Sequence, residues 1–133
     1  MRYLLDVNAL IAYGFRRHDF HDRVGAWMRS GRDNRFLTCS ITELGFVRIL
    51  GNIRTYGMDV ARARELLLDL KHWHAFPLEF IPDTNDLTSL PTWVKTPSQV
   101  TDGHLLQLAK TNSAVLATLD NGIPGALIIP AHI

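Results

Sequence analysis

The chain has 133 residues, a length typical of one compact domain; 47% of them are hydrophobic and 20% are charged, which excludes a disordered chain. The formal net charge of +1 excludes a uniformly basic protein that coats nucleic acid, and the single cysteine, Cys39, excludes an internal disulfide. No apolar run approaches the roughly 18 residues of a membrane span, and Asp6 interrupts any signal-peptide core. We therefore expect one domain, residues 1–133, located in the cytoplasm and without a membrane segment.

Five short apolar runs are predicted to be strands, and stretches with helical periodicity separate most of them. The predicted strands are Tyr3–Leu5, Arg35–Cys39, Leu78–Ile81, Ala114–Leu119 and Ala126–Ile129. The predicted helices are Ala9–Phe15 with Asn8 as N-cap, His21–Ser30, Ser40–Gly51, a helix capped by Asp59 that ends at His72-Trp73-His74, and a helix capped by Thr101.

The alternation of strands and helices predicts the fold class. Strands that are apolar on both faces are typical of a parallel sheet covered by helices on each side. We predict a three-layer α/β/α sandwich with a central parallel sheet of about five strands. Residues 82–100 contain Pro91 and Pro97 and are long for an irregular connection, so they hold either a short helix or a functional loop.

Four acidic residues follow the predicted strands. Asp6 ends the first strand and Asp120 follows the fourth, while Glu43 and Asp102 lie in the first turns of the helices after the second and third. The carboxyl ends of parallel strands share one edge of a sheet, so we expect the four acids to converge there. Two carboxylates about 4 Å apart repel by roughly 4 kcal/mol at an effective dielectric of ~20. A divalent cation would remove this repulsion, and an all-oxygen site favours Mg²⁺ or Mn²⁺ over Zn²⁺.

Each acid also has a purely structural interpretation. Asp6 could begin a turn, and Ser40-x-x-Glu43 fits a capping box. Asp102 could stabilise a helix N-terminus, and Asp120-Asn-Gly is a good turn sequence. Independent caps and turns have no reason to share one edge of a sheet, so the joint pattern favours a cation site.

The motifs resemble those of the PIN-domain ribonucleases, specifically the VapC-like toxins of bacterial toxin–antitoxin pairs. The matching segments are Leu-Leu-Asp6-Val-Asn8-Ala-Leu-Ile-Ala, His18-x-x-His21, Thr42-Glu43-Leu-Gly-Phe-Val-Arg48, Val-Thr101-Asp102-x-x-Leu-Leu and Ala-Thr118-Leu-Asp120-Asn-Gly-Ile. The resemblance implies a PIN-like domain that acts as a Mg²⁺-dependent endoribonuclease, with Mn²⁺ as a substitute. It also implies a homodimer that a cognate antitoxin inhibits.

The resemblance also implies roles for individual residues. Asp6, Glu43, Asp102 and Asp120 match the catalytic acids, and the metal ligands among them are Asp6, Asp102 and Asp120. The supporting polar positions correspond to Asn8 and Thr118. Gly103 departs from the family, which more often has alanine there, and a glycine in the first turn of a helix is expected to cost little.

The arginines are candidates for contact with RNA. Without the four acids, 14 cations face nine anions, a surplus of +5 that could hold an RNA backbone. Arg16 leaves the first helix near the expected edge, and Arg48 lies one turn beyond Glu43. We therefore expect Arg16 and Arg48 to contact RNA.

Two other functions remain open at this point. A phosphoacceptor receiver domain also places acids at the edge of a parallel sheet, but it needs a lysine there. Lys71, Lys95 and Lys110 all fall in predicted helices or loops. A non-catalytic RNA-binding or antitoxin-sequestering module on the same fold is the second alternative.

Overall fold

The structure, a computed structural model, describes residues 1–73 and 75–132. The strands are β1 (Arg2–Leu5), β2 (Arg35–Thr38), β3 (Leu78–Phe80), β4 (Val115–Thr118) and β5 (Leu127–Ile128). The helices are α1 (Val7–Gly14), α2 (His21–Ser30), α3 (Ser40–Leu50), α4 (Ile53–Tyr56), α5 (Val60–Lys71) and α6 (Pro97–Thr111), with a 3₁₀ helix at Leu87–Ser89. The expected helix end at His72-Trp73-His74 falls just after α5, and His74 lies outside the described residues.

All five strands pair in parallel, in the order β3-β2-β1-β4-β5. Tyr3 of the central strand pairs with Phe36 of β2 on one side and with Val115 of β4 on the other. The chain adds strands on one side of β1 and later returns to the other side, so the strand order reverses between β1 and β4. Ligands of open parallel sheets bind beyond the carboxyl ends of the strands at such a reversal.

Helices cover both faces of the sheet, which confirms the predicted three-layer sandwich. Leu5, Phe36 and Ala117 point to one face and pack into a core with α1, α2, α3 and α5. Their neighbours Leu4 and Leu116 point to the other face and pack against α6. The alternation is that of a pleated strand, and each leucine that it buries contributes about 1.5–3 kcal/mol to folding.

Two helices begin earlier than the sequence analysis predicts. The N-cap of α1 is Asp6 and not Asn8: the Asp6 Oδ1 atom accepts a hydrogen bond of 2.8 Å from the backbone N–H of Val7. The N-cap of α6 is Thr96 and not Thr101, because Pro97 suits the first helical position and the side chain of Gln99 caps the Thr96 N–H at 3.1 Å.

The start of α3 also differs from its predicted cap. Cys39 is the N-cap, and its backbone N–H donates to the hydroxyl of Thr42 at 3.0 Å. The alternative interpretation of Ser40 and Glu43 as a capping box is therefore excluded, and the Glu43 carboxylate makes other contacts. The short helix α4 is absent from the predicted elements because four residues carry too little periodicity to detect.

Residues 82–96 pack against α6 and do not project as a free loop. They contain the 3₁₀ helix, so of the two alternatives left open for this segment a short helix is present, and Asp83 pairs with His104 of α6. Gly103 lies in the middle of α6 and not in its first turn. A β-carbon at Gly103 would come within 2.4 Å of Val94 and 3.3 Å of Pro91. Glycine therefore permits a close approach here. Within the described ranges, no helix combines the length and apolar character needed to cross a bilayer.

Candidate active site

A cavity of about 400 Å³ opens at the carboxyl ends of β1 and β4, where the strand order reverses. We call it the acidic pocket. Its lining consists of Asp6, Val7, Asn8, Ile11, His18, Arg48, Ile49, Tyr56, Thr101, Asp102 and Asp120. Three of the four acids predicted from the sequence belong to it, and they come from three different elements or their ends. The pocket therefore lies at the edge of the sheet where the acids were expected to converge.

The three carboxylates lie close together. Asp6, Asp102 and Asp120 each present a carboxylate oxygen that lies within 4.8 Å of the other two. Asp6 is only 5% exposed, Asp102 is half-buried and Asp120 is exposed. The cluster thus has a buried base and an open side, and its ligand atoms are all oxygens.

Thr118, the last residue of β4, connects the groups around this cluster. Its hydroxyl donates to the Oδ2 atom of Asp6 at 2.7 Å and accepts the backbone N–H of Asp120 at 3.1 Å. The side-chain amide of Asn8 lies 3.4 Å from the same hydroxyl, and its Oδ1 atom accepts the N–H of Leu119 at 3.1 Å. The two supporting polar residues predicted from the sequence therefore fix the positions of both strand-end acids.

Burial and mutual repulsion act on the cluster in the same direction. Burial raises the pKa of the Asp6 carboxyl, and the hydrogen bonds from Thr118 and Val7 oppose that rise. The charges of Asp102 and Asp120 raise the Asp6 pKa further. Burial and the charge of Asp120 also raise the pKa of Asp102. Two of the three groups therefore hold protons more tightly than free carboxyls do, chiefly because they are buried and further because their negative charges are crowded.

The fourth predicted acid lies outside this cluster. The Oε2 atom of Glu43 accepts a hydrogen bond of 2.5 Å from the Thr38 hydroxyl. The ammonium of Lys71 lies 2.9 Å from Glu43 Oε2 and 3.1 Å from its Oε1. A cation of the protein already compensates this carboxylate, and Glu43 lines a different groove between α3 and α5. Lys71 is 28 residues away in sequence, so spacing alone could not show the pairing.

The two arginines expected to bind RNA are in different places. Arg48 lines the acidic pocket, where its exposed side chain adds a positive charge. Arg16 lines a second cavity between α1, α2 and α5. The roles of both residues remain predictions.

His18 and Tyr56 line the acidic pocket and were not identified as site residues. His18 belongs to the His-x-x-His segment of the resemblance, which could have indicated it. Its Nδ1 atom accepts the N–H of Phe20 at 3.0 Å, so a neutral ring carries its proton on Nε2. Tyr56 ends α4, and with that helix undetected the sequence held no signal for it.

Comparisons with known proteins agree with the motifs. No family model matches the sequence. Among curated proteins of Mycobacterium tuberculosis, the chain is 35% identical to ribonuclease VapC38 over 124 residues, covering 90% of this chain and 86% of that protein. Ribonuclease VapC44 is 34% identical, covering 95% and 94%, and ribonuclease VapC29 is 36% identical, covering 92% and 89%.

Solved structures of low sequence identity share the fold. The M. tuberculosis toxin VapC20, described as cleaving the sarcin–ricin loop, superposes with a TM-score of 0.63 at 12% identity over 90% of each chain. A chain of VapBC2 from Rickettsia felis, solved bound to a promoter DNA fragment, gives 0.61 at 15% identity over 96% of each. The identities above 30% over most of the length, found with VapC38, VapC44 and VapC29, are those of family members. The chain therefore belongs to the VapC family of ribonucleases.

Proposed function

We propose that this protein is an endoribonuclease toxin whose catalytic centre is the acidic pocket, with a divalent cation held by Asp6, Asp102 and Asp120. The observation that carries the proposal is the convergence of these three carboxylates within 4.8 Å at the strand-order reversal. We further propose Mg²⁺ as the ion, with Mn²⁺ as a substitute. Magnesium binds oxygen ligands and usually uses one or two carboxylates directly, keeping the remaining positions for water and phosphate.

The side chains present fit such an ion. Every ligand atom of the cluster is a carboxylate oxygen, and no cysteine or histidine belongs to it among the described residues. A bound cation would favour the ionised form of Asp6 and Asp102. It would therefore lower the two pKa values that burial and mutual repulsion raise. When bound, a divalent ion supplies charge neutralisation at the scissile phosphate and a bound water of lowered pKa.

The residues of the chain divide the remaining work. Thr118 and the Val7 N–H hold the Asp6 carboxylate in one orientation, so the ligand is positioned before substrate arrives. Arg48 lies beside the acids, and its guanidinium can donate hydrogen bonds to a phosphate oxygen of the RNA, as an arginine fork commonly does. The open side of the pocket at Asp120 leaves space for the RNA backbone.

Glu43 enters the proposal as the fourth acid, without a role as metal ligand. Its carboxylate is bound by Lys71 and Thr38, and Thr38 ends the strand next to β1. We propose that this network positions the β2 end of the sheet edge for the RNA. Glu43→Gln should then lower cleavage while leaving the affinity for the divalent ion close to that of the wild type.

The partners follow from the family. We propose a cognate antitoxin that inhibits the toxin, and the cytoplasm as the compartment where it meets RNA and antitoxin. We also propose a homodimer, which two exposed leucines on the groove between α3 and α5 support: Leu44 is 69% exposed and Leu68 56%. Light scattering of the purified chain at micromolar concentration would contradict the dimer if it gave the mass of a single chain.

Cleavage of a defined RNA in a Mg²⁺ titration tests the central proposal. Asp120→Asn removes an exposed ligand with little structural cost, and we expect cleavage to fall at least about a hundredfold, with most of the loss at low Mg²⁺. The matched control is Asp86→Asn, because Asp86 is exposed and caps the 3₁₀ helix, a role that asparagine also fills. Cleavage that persists in EDTA, or that Asp120→Asn leaves intact, would contradict the proposal. RNA binding without cleavage in the wild type would support the non-catalytic alternative.

A further inference from the structure

A second cavity, of about 420 Å³, lies between α1, α2 and α5. We call it the arginine cavity. Its polar lining includes Arg16, Arg29 and Arg62 together with His21, and no carboxylate lines it among the described residues. The cavity therefore has the opposite charge to the acidic pocket and is suited to an anion.

The arginines of this cavity are poorly compensated by the protein. Within the described residues, neither Arg16 nor Arg29 has a carboxylate within 4.0 Å. The Arg29 guanidinium packs against Gly25: a β-carbon at Gly25 would lie 3.0 Å from the Nη1 atom of Arg29. Arg62 pairs with Glu65 at 3.4 Å, but both side chains are more than half exposed, so that pair is weak.

A buried donor without a partner also lines the cavity. Tyr13 is only 5% exposed, and its hydroxyl has no hydrogen-bond partner within the part of the chain that the structure describes. Burial raises the pKa of Tyr13 to about 12, so the hydroxyl keeps its proton at neutral pH. Buried hydroxyls are nearly always satisfied in folded proteins, so this residue of the cavity lining carries an unused hydrogen-bond donor.

An aromatic surface lies beside these donors. The ring of Trp73 stacks on Tyr13 with centroids 6.3 Å apart, and Phe76 meets it edge-on at 6.1 Å. Trp73 is nevertheless 50% exposed, so part of its ring faces solvent. A flat ligand can stack there while its negative charge reaches the arginines.

We propose that the arginine cavity binds one nucleotide of single-stranded RNA, with its phosphate on the arginines and the Tyr13 hydroxyl and its base against Trp73. Phosphate bound by arginine forks and bases stacked on aromatic rings are the two contacts that such RNA offers. The inference rests on the proposed function, which makes RNA the substrate. One helix also connects the two sites: Ile11 lines the acidic pocket, and Gly14, three residues later on the same face of α1, lines the arginine cavity.

Equilibrium binding in EDTA tests this site independently of catalysis. The probe is a fluorescein-labelled, unstructured 12-nucleotide RNA of mixed sequence, measured by anisotropy over a range of KCl concentrations with the full chain. Arg29→Ala and Arg62→Ala should each weaken binding about tenfold at low salt. Each should also reduce the slope of log K against log salt by about 0.7, because one phosphate contact to a single strand is lost. Trp73→Ala should weaken binding at least about fivefold.

The matched control is Arg32→Ala. Arg32 is exposed just after α2 and lines neither the arginine cavity, nor the acidic pocket, nor the groove between α3 and α5. The substitution removes the same charge from outside the proposed site, and an affinity and salt slope equal to those of the wild type are expected. Equal losses in Arg62→Ala and Arg32→Ala would show a diffuse charge effect and overturn the site, and so would unchanged slopes in all the variants.

Tyr13→Phe separates a ligand contact from a structural role. The unpartnered hydroxyl gives no hydrogen bond to the free protein, so its removal should leave the melting temperature unchanged or higher. The affinity for the RNA should nevertheless fall about threefold, the loss of one hydrogen bond. An unchanged affinity in Tyr13→Phe would remove this hydroxyl from the site.

The outcomes distinguish this inference from the proposed function. If wild-type protein binds the RNA through the arginines but never cleaves it with Mg²⁺, the proposed catalysis fails and the cavity stands. If the protein cleaves RNA while Arg29→Ala binds like the wild type, the cavity fails and catalysis stands. Loss of antitoxin affinity in Arg29→Ala without loss of RNA affinity would assign the cavity to a protein partner and overturn the inference.

Discussion

Asp6 performs two tasks with its two carboxylate oxygens. Oδ1 caps α1 through the N–H of Val7, and Oδ2 accepts the hydroxyl of Thr118. The cap fixes the direction in which α1 leaves the sheet, and the hydroxyl fixes the carboxylate toward the pocket. Substituting Asp6 therefore disturbs the fold and the site together, whereas Asp102 and Asp120 are the residues whose substitution reports on the site alone.

The stability of the metal-free protein should depend on Asp102 in a pH-dependent way. Its pKa is raised in the folded state, so the folded protein binds protons more readily than the unfolded chain, and this group's contribution to stability decreases as pH rises through the folded pKa. In EDTA at pH 7.5, Asp102→Asn should melt a few degrees higher than wild type, since it removes the cost of burying this carboxylate and relieves roughly 1 kcal/mol of screened repulsion from Asp120. The difference should shrink as the pH is lowered, because the wild-type carboxyls then gain protons.

Thermal melts at several pH values, with and without Mg²⁺, check this expectation. Saturating Mg²⁺ should reverse the order, because the ion stabilises the wild type by mass action and finds one ligand fewer in Asp102→Asn. Asp86→Asn serves as a control of opposite sign: hydrogen bonds from Thr88 lower the pKa of the Asp86 carboxyl, so its contribution to stability is lost as pH falls, and Mg²⁺ should not alter it. A melting difference between wild type and Asp102→Asn that is the same at every pH, or that Mg²⁺ leaves unaltered, would refute the proposed cluster.

At the scale of the elements, the sequence predicted every strand to within about one residue at each end, because buried parallel strands are short apolar runs. Helix starts were predicted less well. The true start of α6 carries a capping box and a proline at the first helical position, in the segment Thr96-Pro97-Ser-Gln99. The apolar pattern after Thr101 favoured a later start. The late start placed Asp102 in the first turn of the predicted helix, whereas it lies near the middle of α6; its place at the sheet edge was as expected.

The candidate site was predictable as far as strand ends determine it. Asp6 and Asp120 follow neighbouring strands, so topology alone brings them together. Glu43 lies outside the cluster and instead pairs with Lys71, the last residue of α5. The sequence counted against the receiver alternative because its lysines fall in predicted helices and loops. They do, yet the ammonium of Lys71 still reaches Glu43, the acid after β2. Pairings of this kind depend on helix packing angles that sequence spacing does not encode.

Gly103 allows residues 82–96 to pack tightly on α6, and Gly103→Ala tests that contact. The new β-carbon would overlap the stiff side chain of Val94. Overpacking of this kind typically lowers the free energy of unfolding by about 1–3 kcal/mol. The better helix propensity of alanine offsets up to about 1 kcal/mol, so we expect a net loss of up to about 2 kcal/mol in urea unfolding.

A double-mutant cycle with Val94→Ala provides the control. Removing the two methyl groups makes space for the β-carbon, so Gly103→Ala should be neutral or stabilising when Val94 is already alanine. A cost of Gly103→Ala that is identical in both backgrounds would place the strain elsewhere than at this contact.

On the scale of the whole molecule, the fold separates charge of opposite sign along α1. Acidic side chains gather where the strands end, and guanidinium groups gather where α1, α2 and α5 meet. An RNA strand bound to both sites would meet attraction at the arginines and would need a cation at the acids. A protein inhibitor faces the reverse requirement at the acidic pocket, since a positively charged side chain can take the place of the ion.

The antitoxin should therefore compete with Mg²⁺. An arginine of the antitoxin can bridge two of the three carboxylates with its planar fork, in the position that the ion would occupy. Raising Mg²⁺ to ten times its dissociation constant should weaken the apparent affinity of the antitoxin about elevenfold, while KCl of equal ionic strength should have a much smaller effect. Asp120→Asn should lower antitoxin affinity in EDTA and remove most of the Mg²⁺ effect, whereas Asp86→Asn should do neither. Calorimetric titration of the cognate antitoxin into each variant measures both quantities. If affinity ignores Mg²⁺ and the Asp120 charge alike, the antitoxin binds away from the acids and inhibits by another route.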